Sequence, residues 1–290
     1  MGERIGAARA RELGDELRQY RDALGISSEI LAKRLGWSTS KVSRIEHGIT
    51  AMSEIDVVRY AAHCGLAHDH IDALLDMCRE PGPPGYWLSD RLSTLIFHET
   101  TATSSVDYSP LAVPGLLQTE EYATQIIGAA GLEPAFTRYW VGMRMERQLA
   151  LHSREFAFYI HEFALRLPVG NNRVMNEQLL KLVLLAEQPQ LTVQVVPAAL
   201  GARSVFGGEF VLFRNDAHRP LVCLSPVGLF LEDRKQVAAY QEKATRLSEV
   251  ALSRGESREW LAALASEFDR PEDSPDAPDT LAQEQLQHGT

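Results

Sequence analysis

The sequence has no long apolar segment and very little cysteine. A membrane-spanning helix needs about 20 consecutive, mostly apolar residues, and no such run occurs in the 290 residues. The chain also lacks the basic and then apolar leader of a secretory signal peptide. Its 3 cysteines, Cys64, Cys78 and Cys223, are odd in number and far apart, which does not suggest a disulfide framework. These absences predict a cytoplasmic protein with buried thiols and no membrane span.

Positive charge is scarce as well, because 29 Lys and Arg residues stand against 39 Asp and Glu residues, a formal net charge of −10. A protein that binds a polyanion needs basic residues near the contact. Residues 1–48 contain nine basic side chains against seven acidic ones, whereas the residues from Glu267 onward contain seven acidic side chains and only Arg270. The N-terminal region is therefore mildly basic. Any binding of a polyanion by a region with so little positive charge is expected to depend on dimerisation.

Residues 26–48, ISSEILAKRLGWSTSKVSRIEHG, have the pattern of two short helices joined by a tight turn. Ser27 is a suitable N-cap for a first helix with apolar residues at helical spacing. Gly36 is expected to end this helix, because glycine tolerates the left-handed conformation at a helix end. Ser38 is then placed to cap the second helix. The apolar positions of the pair, which are expected to pack inward, are Ile30, Leu31, Leu35, Val42, Ile45 and Ile49.

The second helix has a polar side that can enter the major groove of DNA and meet base edges. The residues predicted to contact DNA are Ser28, Ser38, Thr39, Ser40, Lys41, Ser43, Arg44 and His47. Lys41 and Thr39 flank the polar side and are placed to reach phosphates or outlying bases. On the pattern alone, an ordinary helical hairpin with a solvated polar side is an alternative.

Residues 13–65 as a whole resemble the lambda-repressor-like helix-turn-helix family of the XRE class. The matching segments are LGDELRQYRDALGIS, LAKRLGWS, SKVSRIEHG and SEIDVVRYAAHCG. The resemblance implies a five-helix fold and sequence-specific binding of double-stranded DNA. The family usually has Gln, which reads adenine, where this chain has Ser28 and Thr39. Arg44, whose guanidinium suits guanine, becomes the predicted base-reading residue.

The chain is predicted to be a multi-domain protein. Residues 1–80 form an all-α five-helix lambda-repressor-like DNA-binding domain, and the segment PGPPG, which cannot continue a helix, begins a linker over 81–87. Residues 88–268 form an α+β regulatory and dimerisation domain, and residues 269–290 a disordered acidic tail. The predicted core of the first domain is Leu13, Leu17, Leu24, Leu31, Leu35, Val42, Ile45, Val57 and Leu75.

The α+β assignment depends on β-branched and aromatic segments between turn signals. The predicted strands are EFAFYIHE, LTVQVVP, GEFVLFR, PLVCL and VGLFLED, and the predicted helices cover residues 88–99, 119–130, 134–153, 172–187, 233–253 and 257–268. Several connections between the later strands are too short for helical crossovers. The sheet is therefore predicted to be mostly antiparallel or mixed.

The second region, roughly residues 95–265, resembles a domain of uncharacterised activity described as WhiJ-like or antitoxin-like in actinobacterial regulators. The matching segments are YSPLAVPGLLQTEEYA, LRLPVGNNRVMNEQLLKL, LTVQVVP and LFLED. The resemblance implies a developmental or stress regulator that is often paired with a small protein encoded nearby.

The sequence has no nucleophile elbow, phosphate-binding glycine loop or metal motif with the correct spacing. His161-Glu162 begins like a zinc-binding helix motif, but Leu165 occupies the place of the second histidine, and His161 is predicted to lie in a strand. A second candidate metal cluster, whose spacing matches no known zinc finger, is His63, Cys64, His68, His70 and Cys78. We therefore expect no enzyme activity, no cofactor and no metal.

Three functions remain open. The first is a homodimeric transcription regulator whose C-terminal domain binds a small protein partner. The second is a regulator whose C-terminal domain senses a small-molecule effector, in a pocket beside the segment LAVPGLLQT and the aromatic residues Tyr108, Tyr122, Trp140 and Phe158. The third, an enzyme with a DNA-binding appendage, has the least support.

Overall fold

The computed structural model describes residues 8–79, 85–89, 92–152, 154–216, 218–225 and 228–269. The α-helices, in chain order, are α1 Ala8–Ala23, α2 Ser28–Leu35, α3 Thr39–Glu46, α4 Glu54–His63, α5 His68–Cys78, α6 Leu92–Thr101, α7 Glu120–Gly128, α8 Pro134–Arg147, α9 Glu162–Arg166, α10 Asn172–Leu185, α11 Arg234–Val250 and α12 Arg254–Phe268. The strands are β1 Tyr86–Leu88, β2 Ser104–Ser109, β3 Glu155–His161, β4 Leu191–Val196, β5 Phe210–Asn215, β6 His218–Leu224 and β7 Leu229–Leu231.

The helix-turn-helix segment has the boundaries that its capping residues predict. The Ser27 hydroxyl accepts a hydrogen bond from the Ile30 N–H at 3.3 Å, and the Ser38 hydroxyl accepts one from the Lys41 N–H at 3.1 Å. Gly36 follows α2 with φ 67° and ψ 29°, the left-handed conformation expected of it. The five helices α1–α5 confirm the predicted all-α fold of this region.

The core of α1–α5 contains most of the predicted residues. Leu13, Leu17, Leu31, Leu35, Val42, Ile45 and Val57 are all buried in one hydrophobic cluster, and Leu75 packs against it half-buried. The structure adds Ala32, Tyr60, Ala61, Cys64, Leu74 and Met77 to the cluster.

Three predicted inward positions are wrong, because Leu24, Ile30 and Ile49 are 50%, 47% and 55% exposed. Leu24 comes just after the last residue of α1, and Ile49 comes after α3, beyond the turn at Gly48. Ile30 belongs to the first turn of α2, whose buried residues are Leu31, Ala32 and Leu35. Helical spacing does not apply past a helix end, which explains the first and the last of these errors.

The strands form one seven-stranded sheet in the order β1-β7-β6-β5-β2-β3-β4. β7 is antiparallel to both β1 and β6, whereas β2 is parallel to β3 and β3 is parallel to β4. The predicted α+β fold with a mixed sheet is therefore confirmed. The parallel strands are joined by helical crossovers, α7 and α8 between β2 and β3, and α9 and α10 between β3 and β4.

β1 and β2 were not predicted from the sequence. β1 has only three residues, and β2 reads SSVDYS, in which serine and aspartate are poor strand formers. Five of the six β2 residues are nevertheless buried. The predicted helix over 88–99 in fact begins at Leu92, because Tyr86–Leu88 pair with β7.

The described residues divide into two compact units. The first unit contains the residues up to Ala102 together with Phe213–Tyr240, and the second contains Thr103–Leu212 together with the residues from Gln241 onward. Within the first unit, α6 is bonded to α1 by the Thr94 hydroxyl, which donates to Glu12 Oε1 at 2.7 Å. Most of the predicted linker, at 81–84, and the acidic tail after Asp269 lie outside the described residues, so both stay predictions.

The second unit has its own hydrophobic core between the parallel strands and the helices that contact them. α10 and α12 contact each other, and both contact β4. Tyr108, Tyr122 and Phe158 are buried core residues of this unit, whereas Trp140 on α8 is 39% exposed. The aromatic residues that were predicted to surround an effector pocket are thus mostly packing residues.

Candidate nucleic-acid interface

α3 has one buried side and one polar side that is open to solvent. Val42, Ile45 and Glu46 are buried against the rest of the domain. Of the residues predicted to contact DNA, Ser38, Thr39, Ser40, Arg44 and His47 are exposed, and Ser28, Lys41 and Ser43 are half-buried. All eight residues are therefore at least partly accessible, and we call this set the α3 polar surface.

Arg44 is the best-placed cation of the α3 polar surface. Its side chain is exposed, and no hydrogen bond or ion pair joins its guanidinium to another described residue. His47, one turn from Ser43, has its Nδ1 2.7 Å from the Ser43 carbonyl oxygen. This contact orients the imidazole ring and leaves Nε2 as the outer nitrogen.

Lys41 is held by the fold more firmly than the sequence suggested. Its Nζ lies 3.1 Å from Asp56 Oδ1 of α4 and 3.8 Å from the centre of the Trp37 ring. Arg59, also on α4, lies on the same ring at 5.5 Å and donates to the Leu35 carbonyl oxygen at 2.6 Å. Lys41 therefore ties α3 to α4, and its charge is partly balanced before any DNA is bound.

A buried ionic cluster fixes the end of α3, and the sequence did not reveal it. The Glu46 carboxylate accepts two bonds from the Arg21 guanidinium, at 2.7 and 2.9 Å, and a third from the Tyr60 hydroxyl at 2.6 Å. All three side chains are buried. The bond to Glu46 raises the pKa of Arg21, and burial together with the same carboxylate raises the pKa of Tyr60. Arg21 is on α1 and Tyr60 on α4, so the cluster links both helices to α3.

Two glycines allow α1 and the end of α3 to touch through their backbones. A Cβ on Gly14 would lie 2.3 Å from the Ile45 carbonyl oxygen and 2.9 Å from that of Glu46. A Cβ on Gly48, which has φ 62°, would lie 2.5 Å from Cα of Arg11. Larger residues have no room at either position. The angle of α3 on α1 is therefore set by backbone contact.

Two further basic residues belong with the candidate interface. Lys33 and Arg34 are exposed in the last turn of α2, beside the turn that leads into α3. Side chains at this place are suited to phosphate contacts, which position a protein on the duplex without reading its sequence. The sequence signal that could have identified them is their position just before Gly36, because Gly36 ends α2 and places both residues in its last turn.

Several residues of the two candidate metal sites take part in packing or in hydrogen bonds within the protein. His161 ends β3, as predicted, and its Nδ1 accepts a bond from the Phe163 N–H that begins α9, while its Nε2 is 3.1 Å from the Ser204 hydroxyl. Leu165 is a core residue. Of the predicted His and Cys cluster, His63 contacts the Arg59 carbonyl oxygen at 2.8 Å, and Cys64 is in the hydrophobic core. No group of three or more potential metal ligands occurs among the described residues.

Two family models match separate parts of the chain. Residues 12–74 match a helix-turn-helix domain, and residues 92–263 match a domain of unknown function, DUF5753. No curated protein and no solved structure matches the chain. In the described part of the chain, every helix is too short or too polar to cross a membrane. The helix-turn-helix match indicates a DNA-binding regulator.

Proposed function

Because the chain belongs to the DUF5753 family and joins that domain to a helix-turn-helix domain, we propose that it is a sequence-specific transcription regulator of the XRE class. It acts in the cytoplasm as a homodimer on double-stranded DNA and catalyses no reaction. The observation that carries the proposal is the α3 polar surface, which is exposed on a helix fixed from behind by the Glu46 cluster.

The two ends of this surface have different roles in the proposal. Ser38, Thr39 and Ser40 lie at the N-terminus of α3, where backbone N–H groups and hydroxyls suit phosphate oxygens. Arg44 lies one turn further along, and its guanidinium reads guanine through O6 and N7. Ser28, Lys41, Ser43 and His47 complete the contact surface.

The homodimer is proposed because one domain with so little net positive charge makes few phosphate contacts. Two copies bind inverted half-sites about 34 Å apart, or a multiple of that distance. The second domain supplies the dimer contacts and binds a small protein encoded nearby, as its resemblance to WhiJ-like domains of actinobacterial regulators implies. The alternative is a ligand-responsive regulator whose C-terminal domain senses a small molecule, and it is supported by a cavity whose lining includes α6, β5 and β6 of the residues that match DUF5753.

The proposal is tested by sequencing the DNA that the full chain selects from a random pool, followed by titration of the selected site. Arg44→Ala is expected to weaken binding to that site by about 1–3 kcal/mol, roughly 5- to 150-fold, while binding to random DNA changes little. Arg173→Ala is the matched control, because Arg173 is an exposed arginine of α10 that pairs with Glu177. Equal weakening on both DNAs would make Arg44 a phosphate contact, and failure to select any sequence would refute the proposed function.

A further inference from the structure

The first unit contains a cavity of about 150 Å³ that reaches the end of the recognition helix α3. Its walls come from α1, from the α3 terminus, from α6 and from the first-unit parts of β5 and β6. Space of this size takes a ligand with a body as large as benzene. The residues that matter for recognition are Arg11, Phe97, His98, Phe213, Arg214 and Arg219.

The cavity is lined by more positive than negative side chains. The basic lining residues are Arg11, Arg18, Arg214 and Arg219, and the acidic ones are Asp15 and Glu46. Asp15 pairs with Arg18, Glu46 pairs with Arg21, and Arg11 lies 4.0 Å from Glu232, so the positive charge of the lining that these pairs leave over is that of Arg214 and Arg219. Arg214 and Arg219, on β5 and β6, have exposed side chains at the cavity. The lining therefore suits an anion, whose charge the arginines of the strands would meet.

His98 adds a buried polar atom to this lining. The residue is 4% exposed, and its Nε2 has no hydrogen-bond partner among the described residues. Burial, and then the charge of Arg11, lower the pKa of His98 to about 3, so the imidazole is neutral at physiological pH. A neutral imidazole nitrogen donates or accepts one hydrogen bond. A ligand in the cavity can supply the partner that the protein does not.

Aromatic rings form the apolar part of the site. The His98 ring centre is 5.1 Å from that of Phe97 and 6.0 Å from that of Phe213, and both phenylalanines line the cavity. Flat apolar walls next to cations favour a flat ligand that carries a negative group. We propose that this cavity binds a small aromatic carboxylate, with the carboxylate toward Arg214 and Arg219 and the ring against Phe97 and Phe213.

The position of the cavity gives such a ligand a route to DNA binding, an inference that rests on the proposed function. Glu46 is the last residue of α3 and His47 is its C-cap, and both line the cavity. His47 also belongs to the α3 polar surface. We infer that a ligand in contact with this end of α3 binds the DNA-bound protein and the free protein with different affinities. By linkage, the ligand then changes the affinity for DNA by the ratio of those two affinities.

The test uses the full chain and four probes: benzoate, nicotinate, the neutral isostere benzamide and inorganic phosphate. Binding is measured by calorimetry and by the shift in melting temperature, and DNA affinity by fluorescence anisotropy with and without each probe. Benzoate or nicotinate is expected to bind saturably and at least 10-fold more tightly than benzamide. The double variant Arg214→Ala/Arg219→Ala should remove this preference, whereas Arg173→Ala should keep it.

Each outcome has a defined meaning. The site is wrong if neither carboxylate binds, if benzamide binds equally well, or if the arginine variants keep the preference while their melting temperatures match that of the unaltered protein. Binding of phosphate alone would also overturn the aromatic part of the proposal. Carboxylate binding without any effect on DNA affinity would overturn the coupling. Carboxylate binding by a chain that selects no DNA would support the site and refute the proposed function instead.

Discussion

Glu46→Ala is expected to lower the stability of the helix-turn-helix region by about 3–5 kcal/mol. The substitution removes the acceptor of three hydrogen bonds and leaves the buried Arg21 guanidinium paired with the exposed carboxylate of Asp22 alone. Breaking one partner of a buried ion pair typically costs this much, because the remaining charge stays desolvated. The expected loss is a large part of the total free energy of unfolding of a small domain, which is about 5–15 kcal/mol. The helix-turn-helix region of the variant should therefore open locally much more often.

The assay is hydrogen exchange of the full chain, followed peptide by peptide. Protection in α1, α3 and α4 should fall in Glu46→Ala, and protection in β3 and β4 should not change. Glu54→Ala is the matched control, because Glu54 bonds Arg79 at 2.9 and 3.1 Å but both side chains are about half exposed. An exposed pair of the same chemistry contributes little, so this variant should keep its protection.

A second pair of variants separates the buried charge from the packing. Arg21→Met/Glu46→Leu removes both charges and should recover much of the lost protection, since replacing a whole buried pair with apolar residues is often neutral. If Glu46→Ala and Glu54→Ala lose protection equally, the buried cluster does not stabilise α3, and the reasoning from burial is refuted.

Three further variants test other parts of the structure. Gly14→Ala should destabilise the helix-turn-helix region and weaken DNA binding, because a Cβ would lie 2.3 Å from the Ile45 carbonyl oxygen; unchanged protection of α3 in hydrogen exchange would contradict this contact. Ser38→Ala should cost about 1 kcal/mol through loss of the cap on α3, and Ser40→Ala, which removes no cap, is its control in urea unfolding. His98 has a pKa of about 3 in the folded protein and about 6.5 in the unfolded chain. Because only the unfolded chain binds the proton between these two values, the free energy of unfolding should fall by up to about 1.4 kcal/mol per pH unit as the pH falls below 6.5. A His98→Phe variant with the same pH profile would count against a buried neutral imidazole.

Local signals in the sequence predicted the parts of the fold that depend on neighbouring residues. Ser27, Gly36 and Ser38 set the ends of α2 and α3, and each acts on groups within four residues of itself. The β-branched and aromatic residues between turn signals identified β3 to β7 for the same reason. β2 was missed because its burial depends on β3, whose first residue is 51 positions beyond that of β2, and not on the composition of SSVDYS.

Helical spacing predicts the exposed residues of the candidate interface, but it does not predict the buried ion pair that holds α3 in place. An exposed Arg44 follows from helical spacing, whereas Arg21 and Glu46 have the composition of surface residues, since charged side chains are rarely buried unless paired. Their pairing joins two residues that are 25 positions apart in the sequence. The cavity is less predictable still, because Arg11, His98 and Arg219 come from three distant segments of the sequence.

The backbone contact at Gly14 and Gly48 has a consequence for how DNA specificity can be altered. The scaffold under α3 is fixed by main-chain atoms and by buried side chains, none of which belongs to the exposed positions 39, 40, 44 and 47. These four positions can therefore be exchanged as a cassette while the angle of α3 stays constant. A library randomised there, with both glycines kept, should yield folded proteins with new operators, and relatives that bind different operators should differ first at these positions.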